Sequence, residues 1–238
     1  MQLRRERHLG ARPIQHELVR LHDCYLGPST IQKVLRKHNI APLKRKHNSQ
    51  RYKRYQRSIP GDRVQMDTIK IDKGIFQYTA IDDCSRFLVM AVYSKRTAAN
   101  TLDFVERVVE QMSFPIQRFQ TDIDREFTAY DVQDLLMNWG IKFRPIRPAS
   151  PHLNGKVERV QQTVLSEFYA TIDLPVADLQ MRHEEWQFYY NWQHVHGSLG
   201  KTPIERCNEL ANTIPFWEDV CEVFDEEWEH KIKQQHTY

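Results

Sequence analysis

Apolar and polar positions along the chain sort it into segments of two different periods. Val64 to Ile71, Phe76 to Ile81 and Phe87 to Tyr93 read as three strands. Asp72-Lys73-Gly74 and Asp82-Asp83-Cys84-Ser85 join them, and such turn-forming residues suit hairpins. Beyond them Leu102, Val105, Val108 and Val109 recur at helical spacing and predict a helix from Thr97 to Met112. A short strand at Gln117 to Thr121, a helix at Ala129 to Trp139 and a strand at Lys142 to Pro145 follow. Asn154-Gly155 then opens a long helix with Val157, Val160, Val164, Leu165 and Phe168 along one side. Three strands followed by alternating helices and strands predict an α/β domain with a mixed sheet.

Ahead of this domain, Arg12 to His22 and Ser29 to Lys37 read as short helices. Leu18 and Leu21 mark the inner face of the first, and Ile31, Val34 and Leu35 that of the second. Gly27-Pro28 makes the break and Ser29 the cap. With Lys33, Arg36 and Lys37 on the second helix, the pair fits either a helix-turn-helix that enters a major groove or a basic helical hairpin with a solvated face. Pro42 to Arg57 has no hydrophobic period. It carries Lys44, Arg45, Lys46, Arg51, Lys53, Arg54 and Arg57 beside Tyr52 and Tyr55, and reads as a linker that follows phosphates. Near the other end, Phe216 to Glu229 sets acids around Trp217, Val220, Val223, Phe224 and Trp228, an acidic amphipathic helix that docks on a second subunit or on the basic front end. The expected division is a helix-turn-helix-like segment over 1–41, a basic linker over 42–59, a catalytic-type core over 60–212 and an acidic tail over 213–238.

Composition narrows the class. A chain of 238 residues that is 40% hydrophobic can bury a real core. No run of about 18 apolar residues exists to cross a membrane, and the basic amino terminus is followed by no apolar segment of a secretory signal. Cys24, Cys84, Cys207 and Cys221 lack paired metal spacing and read as reduced thiols of a cytoplasmic protein. Eleven histidines supply no His/Cys quartet for a structural zinc. The net charge of +3 hides an asymmetry: residues 1–57 hold 15 basic and 3 acidic side chains, leaving 19 against 28 in the rest. A basic front beside an acidic body points to a polyanion held at the front.

Two acids sit where a charge needs a compensating partner. Asp67 lies inside a strand and Asp122 ends one. Glu158 stands about a turn into the long helix, where it is either a solvated first-turn acid or a ligand. Hard carboxylate oxygens suit magnesium or manganese, and 35 residues separate Asp122 from Glu158.

Five motifs occur in order: Gly61-Asp62-Arg63-Val64-Gln65-Met66-Asp67, Asp82-Asp83-Cys84-Ser85-Arg86, Gln120-Thr121-Asp122, Ser150-Pro151-His152-Leu153-Asn154-Gly155-Lys156-Val157-Glu158-Arg159, and Tyr189-Tyr190-Asn191 followed by His196-Gly197-Ser198-Leu199-Gly200-Lys201-Thr202-Pro203. In these motifs the chain, from roughly Arg4 to Leu210, resembles the DDE transposases of bacterial insertion sequences, related to retroviral integrases. The resemblance implies a ribonuclease H-like fold, a mixed five-stranded sheet flanked by helices, with Asp67 on the first strand and Asp122 at the end of the fourth. It implies that Asp67, Asp122 and Glu158 hold two Mg²⁺ or Mn²⁺ ions for cleavage and transfer of double-stranded DNA at transposon ends, in a dimer or larger assembly. Lys156 and Arg159 would meet phosphates near the scissile bond, and Asn154 either contacts the donor strand or shapes its loop. A non-catalytic DNA-binding derivative and a ribonuclease H-type nuclease are the alternatives. The pattern departs from the family at Ile123-Asp124, where a glycine commonly eases the turn after the second aspartate. Asp124 is expected to take up that positive-φ position at some cost. Asp82, Asp83 and Glu126 read as structural, and Trp186, Phe188, Tyr189, Tyr190 and Trp192 as packing residues.

Overall fold

The computed structural model describes residues 1–43, 56–146 and 153–236. The linker residues Lys44, Arg45, Lys46, Arg51, Lys53 and Arg54 lie outside these.

Five strands form one sheet in the order β3-β2-β1-β4-β5. They are β1 (Val64–Asp72), β2 (Ile75–Asp82), β3 (Leu88–Tyr93), β4 (Arg118–Thr121) and β5 (Lys142–Pro145). The first three pair antiparallel, whereas β1/β4 and β4/β5 are parallel, so the sheet is mixed, as the alternation of elements requires. β1 starts beside Gly61, whose φ of 78° and whose backbone, packed against the Pro115 carbonyl, leave no room for a side chain.

Alternation along the strands sends side chains to two faces. Val64 and Met66, Tyr78 and Ala80, and Val89 and Ala91 meet α4 (Ala98–Gln111), α5 (Arg125–Thr128) and α6 (Tyr130–Asn138) through Phe104, Val105, Val108, Phe127 and Leu136. Thr97 caps α4, its side chain accepting the Asn100 N–H at 3.2 Å. On the other face Ile81, Leu88 and Met90 lie under α7 (Gly155–Glu167) and α8 (Leu179–Trp192), which contribute Val157, Val160, Val164, Leu179 and Tyr190. The stripe on α7 is narrower than expected: Gln161 takes the interior place and Leu165 is exposed. α9 (Pro203–Glu209) opens on a full capping box from Thr202 and Glu205.

At the front, α1 (Gln2–Arg7), α2 (Ala11–His22) and α3 (Pro28–Lys37) enclose a small cluster of Leu9, Ile14, Ile31 and Leu35. Such a cluster has room for a stripe only one i, i+4 pair wide on α3, so Val34 is exposed, and it ends at Leu18, leaving Leu21 exposed too. Gly27 rather than Ser29 is the N-cap of α3, with Pro28 in its first turn. At the other end, α10 (Trp217–Glu222) and α11 (Glu226–His236) fold onto the chain's own core rather than onto the basic front. Arg144 of β5 holds Glu229 through two bonds of 2.7 and 2.6 Å, Lys233 contacts Asp134, and Ile232 packs on the core. A cation on β5 and an acid on α6 thus each meet an opposite charge on α11 and draw it over the sheet edge.

Candidate active site

The site lies on the α7 face, in the middle of β1 and at the end of β4. Asp67 is the fourth residue of β1, and Asp122 directly follows β4, the strand paired parallel to β1. Two residues 55 positions apart are therefore neighbours because their strands are. Burial pushes the Asp67 carboxyl up to about 7, and the adjacent Asp122 and then Glu158 push the same way. Against this, the Thr68 N–H donates to Asp67 Oδ1 at 2.8 Å. The Gln161 amide also leans toward Asp67 and favours its charged form, although Gln161 Nε2 closes no bond of ordinary geometry. Burial raises Asp122 to about 6, helped by Asp124 and Glu126 and opposed by Arg96. Its Oδ1 is buried with no hydrogen-bond partner.

Glu158 stands in the first turn of α7, exposed, with its pKa raised by partial desolvation. Two acids, Asp122 and Glu158, thus act on Asp67 electrostatically. Among the described residues, however, no three His, Cys, Asp or Glu side chains close into a ready ligand group. The chemistry of the donors nevertheless fits a hard divalent cation: two half-buried neighbouring carboxyls have raised pKa values and one carries an orphaned oxygen, a pattern that a cation's charge would reverse.

The turn after Asp122 is not the strained one expected from its sequence. Asp124 has φ −75° and ψ 146°, ordinary extended backbone, and it is the N-cap of α5. Its carboxylate is held by Arg96 at 2.8 Å, and the same guanidinium lies 3.4 Å from buried Glu126. The turn needs no glycine because α5 begins there.

The other sequence-selected residues divide. Lys33, Arg36 and Lys37 are all exposed on α3, opposite Ile31 and Leu35. Arg159 is exposed on α7. Lys156 turns inward, with its ammonium on the carboxylate of Asp83, which also binds Arg63 and Arg86. Asn154 is buried, makes no capping bond, and leaves its Oδ1 without a partner. Asp82 is fully buried, accepting the Gly61 N–H at 2.9 Å on one oxygen and the Ser85 hydroxyl at 2.7 Å on the other. The connector between β2 and β3 is thus a pillar under the site.

Sequence reasoning passed over two glutamines. Gln65 precedes Asp67 by two positions and Gln120 precedes Asp122 by two, and they pair in register across β1 and β4. Gln65 Oε1 accepts the backbone N–H groups of Lys156 and Val157 at 3.2 and 3.3 Å. Gln120 Nε2 donates to the Leu153 carbonyl at 2.7 Å, and its Oε1 accepts from Arg63 at 3.0 Å. The signal was the i−2 spacing, which puts each glutamine on the same strand face as its aspartate.

Residues 57–151 match the family described as Integrase core domain, and residues 139–203 match a second family of the same description. ORF3 of Spiroplasma virus SpV1-C74, which bears an integrase name, is 27% identical over 201 residues, covering 74% of this chain and 54% of that protein. The chain therefore spans about half the length of this relative. Among solved structures, the catalytic core domain of BIV integrase superposes with a TM-score of 0.53 at 20% identity, covering 64% of this chain and 97% of that one. The HTLV-2 integrase catalytic core domain in complex with magnesium gives 0.51 at 19% identity, covering 62% and 96%. A chain of the simian T-cell lymphotropic virus intasome in complex with PP2A regulatory subunit B56 gamma gives 0.57 at 14% identity, covering 80% and 73%. At these identities the likeness establishes the fold, the ribonuclease H-like sheet of the integrase core.

Proposed function

Because residues 57–151 and 139–203 match integrase core domain families, we propose that the chain is a DDE-type polynucleotidyl transferase that cleaves DNA at transposon ends and joins the freed strand to a target. The observation that carries this reading is the pair of half-buried carboxyls side by side, Asp67 on β1 and Asp122 just past β4, with an oxygen of Asp122 left unpartnered. Asp67, Asp122 and Glu158 would hold two Mg²⁺ or Mn²⁺ ions. Such ions lower the pKa of an attacking water or 3′-hydroxyl and stabilise the leaving oxygen of an in-line displacement.

The chain's own part is positioning. Asp67 feels the charge of both other acids, so it would be central among the residues that hold the ions. Exposed Arg159 lies one position from Glu158 and is available to a backbone phosphate. Lys156, spent on Asp83, supports the start of α7 instead. Exposed Lys33, Arg36 and Lys37 on α3 supply a phosphate-binding surface, with a salt-dependent and largely sequence-independent contribution.

A second reading, a DNA-binding derivative without catalysis, is favoured by the absence of a closed three-acid group among the described residues. One experiment separates the two: strand transfer on an oligonucleotide duplex with Mg²⁺ or Mn²⁺, comparing the wild type with Asp122→Asn. Transferase chemistry predicts metal-dependent joining that falls on the order of 10³-fold in the variant. No joining by the wild type with either metal, or equal joining by both proteins, removes the proposal.

A further inference from the structure

We propose that Gln65 and Gln120 are positioning residues, a two-amide bracket that sets where Glu158 stands relative to Asp67 and Asp122. The inference rests on the three-acid reading above and deepens it. A helix leaves its first N–H groups without internal partners, and a side chain at the N-cap ordinarily meets them. In α7 the N-cap residue Asn154 makes no such bond. The acceptor comes instead from β1, where Gln65 Oε1 takes the N–H groups of both Lys156 and Val157. The next residue is Glu158. Gln120 holds the chain just before the cap, through the Leu153 carbonyl at 2.7 Å.

The bracket is directional and buried. Gln65 is 0% exposed and Gln120 6%, so neither amide has water as an alternative partner. Both stand on the same two strands as the aspartates, two residues away, and they face each other in register. Arg63 fixes the orientation of the Gln120 amide by donating to its oxygen, while Arg63 is itself anchored on Asp83. A shift of α7 along its axis would therefore break these bonds before it moved Glu158 far from Asp67. An apolar contact, in contrast, would let the helix slide.

The bracket acts through Glu158, so its loss should matter only while Glu158 is present. The test follows Mn²⁺ binding by the full chain on duplex DNA, reading free Mn²⁺ by electron paramagnetic resonance, in Gln65→Leu, Glu158→Gln and the double variant. Gln65→Leu is expected to weaken Mn²⁺ binding about tenfold, and the double variant to bind no more weakly than Glu158→Gln alone. Gln65→Glu, which keeps an acceptor at the helix start, should restore binding to within about threefold of the wild type. If Gln65→Leu weakens binding by the same factor with and without Glu158, the bracket is merely structural and the inference falls while the three-acid reading stands. If Glu158→Gln leaves binding unchanged, the three-acid reading itself falls and takes the inference with it. Should Gln65→Leu fail to fold, Gln120→Met enters the same comparison with the same two outcomes.

Discussion

The two faces of the central sheet are built on different physics. Toward α4 and α6 the interface is mainly apolar, with Tyr78, Phe104 and Phe127 in edge and tilted ring contacts at 5.5 to 6.3 Å and with Thr101 and Gln133 as buried polar side chains of the helices. Toward α7 and α8 apolar residues alternate with buried amides and an imidazole: Gln65, Gln77, Gln120, His183 and Asn191. Non-directional burial stabilises the first face but leaves helix position loosely specified. Hydrogen bonds specify the second, at the cost of needing every partner in place. The carboxylates stand on the second face. A site needing side chains from two strands and a helix held in register is carried by the face that encodes register.

The comparison breaks most visibly on the apolar side. Phe104 is completely buried, and Phe104→Ala should lower stability by about 4 kcal/mol through lost transfer energy and the cavity left behind. Denaturant unfolding checks this, and a loss under about 1 kcal/mol would mean that this face is not the main apolar support.

On the polar side the sharpest probe is Asn191. β3 is an edge strand, and α8 meets its outward backbone groups with side chains. Asn191 accepts the Leu88 N–H at 2.9 Å and donates to the Leu88 carbonyl at 2.7 Å, while Gln187 accepts the Met90 N–H at 2.6 Å. Asn191→Leu retains size but strands a buried donor and acceptor, with an expected loss of about 2–3 kcal/mol. Because the uncovered edge can pair with another chain, concentration-dependent association should accompany it in sedimentation measurements. Unchanged stability and a monodisperse variant would show that the cap on the edge strand is ornamental.

This contrast also explains what could be read from the sequence. The strand positions of Asp67 and Asp122 are legible in the strand runs, because one buried apolar face fixes register, whereas the five-stranded sheet came from the family resemblance. The opposite face misleads: Gln65, Gln77 and Gln120 occupy alternate positions that look solvated, yet all are buried beneath helices that lie far along the chain. Local pattern contains no information on what will cover a polar face, so the amide bracket and the commitment of Lys156 to Asp83 were illegible. Val34 and Leu21 failed for the opposite reason, since a four-residue cluster is too small to use every apolar position offered to it. Asp124 failed because the short helix α5 has too few residues to show a period, and a helix start relieves the turn that seemed to need a glycine.

The smallest expected effect isolates the imidazole of the polar face. His183 is fully buried, with Nε2 at 3.0 Å from the Tyr169 hydroxyl and 3.2 Å from Gln77 Oε1, and burial drives its pKa down to about 3. A folded-state value below the unfolded 6.5 means that the fold prefers the neutral ring. The unfolded chain therefore takes up the proton first, and the stabilisation present above about pH 6.5 is lost as pH falls toward 3. Between pH 7.5 and 5.5 this removes about 1.4 kcal/mol. The raised carboxyls of Asp67, Asp122 and Glu167 shift stability the other way over part of the same range, and the lowered His194 and His196 shift it the same way. The informative quantity is therefore the difference between the wild type and His183→Gln, which keeps a donor and an acceptor but cannot titrate. That difference should change by about 1.4 kcal/mol over those two pH units in favour of the variant at acid pH. A pH-independent difference would mean that His183 takes up its proton as readily in the fold as in the unfolded chain, and that this face tolerates a charge its amides were thought to exclude.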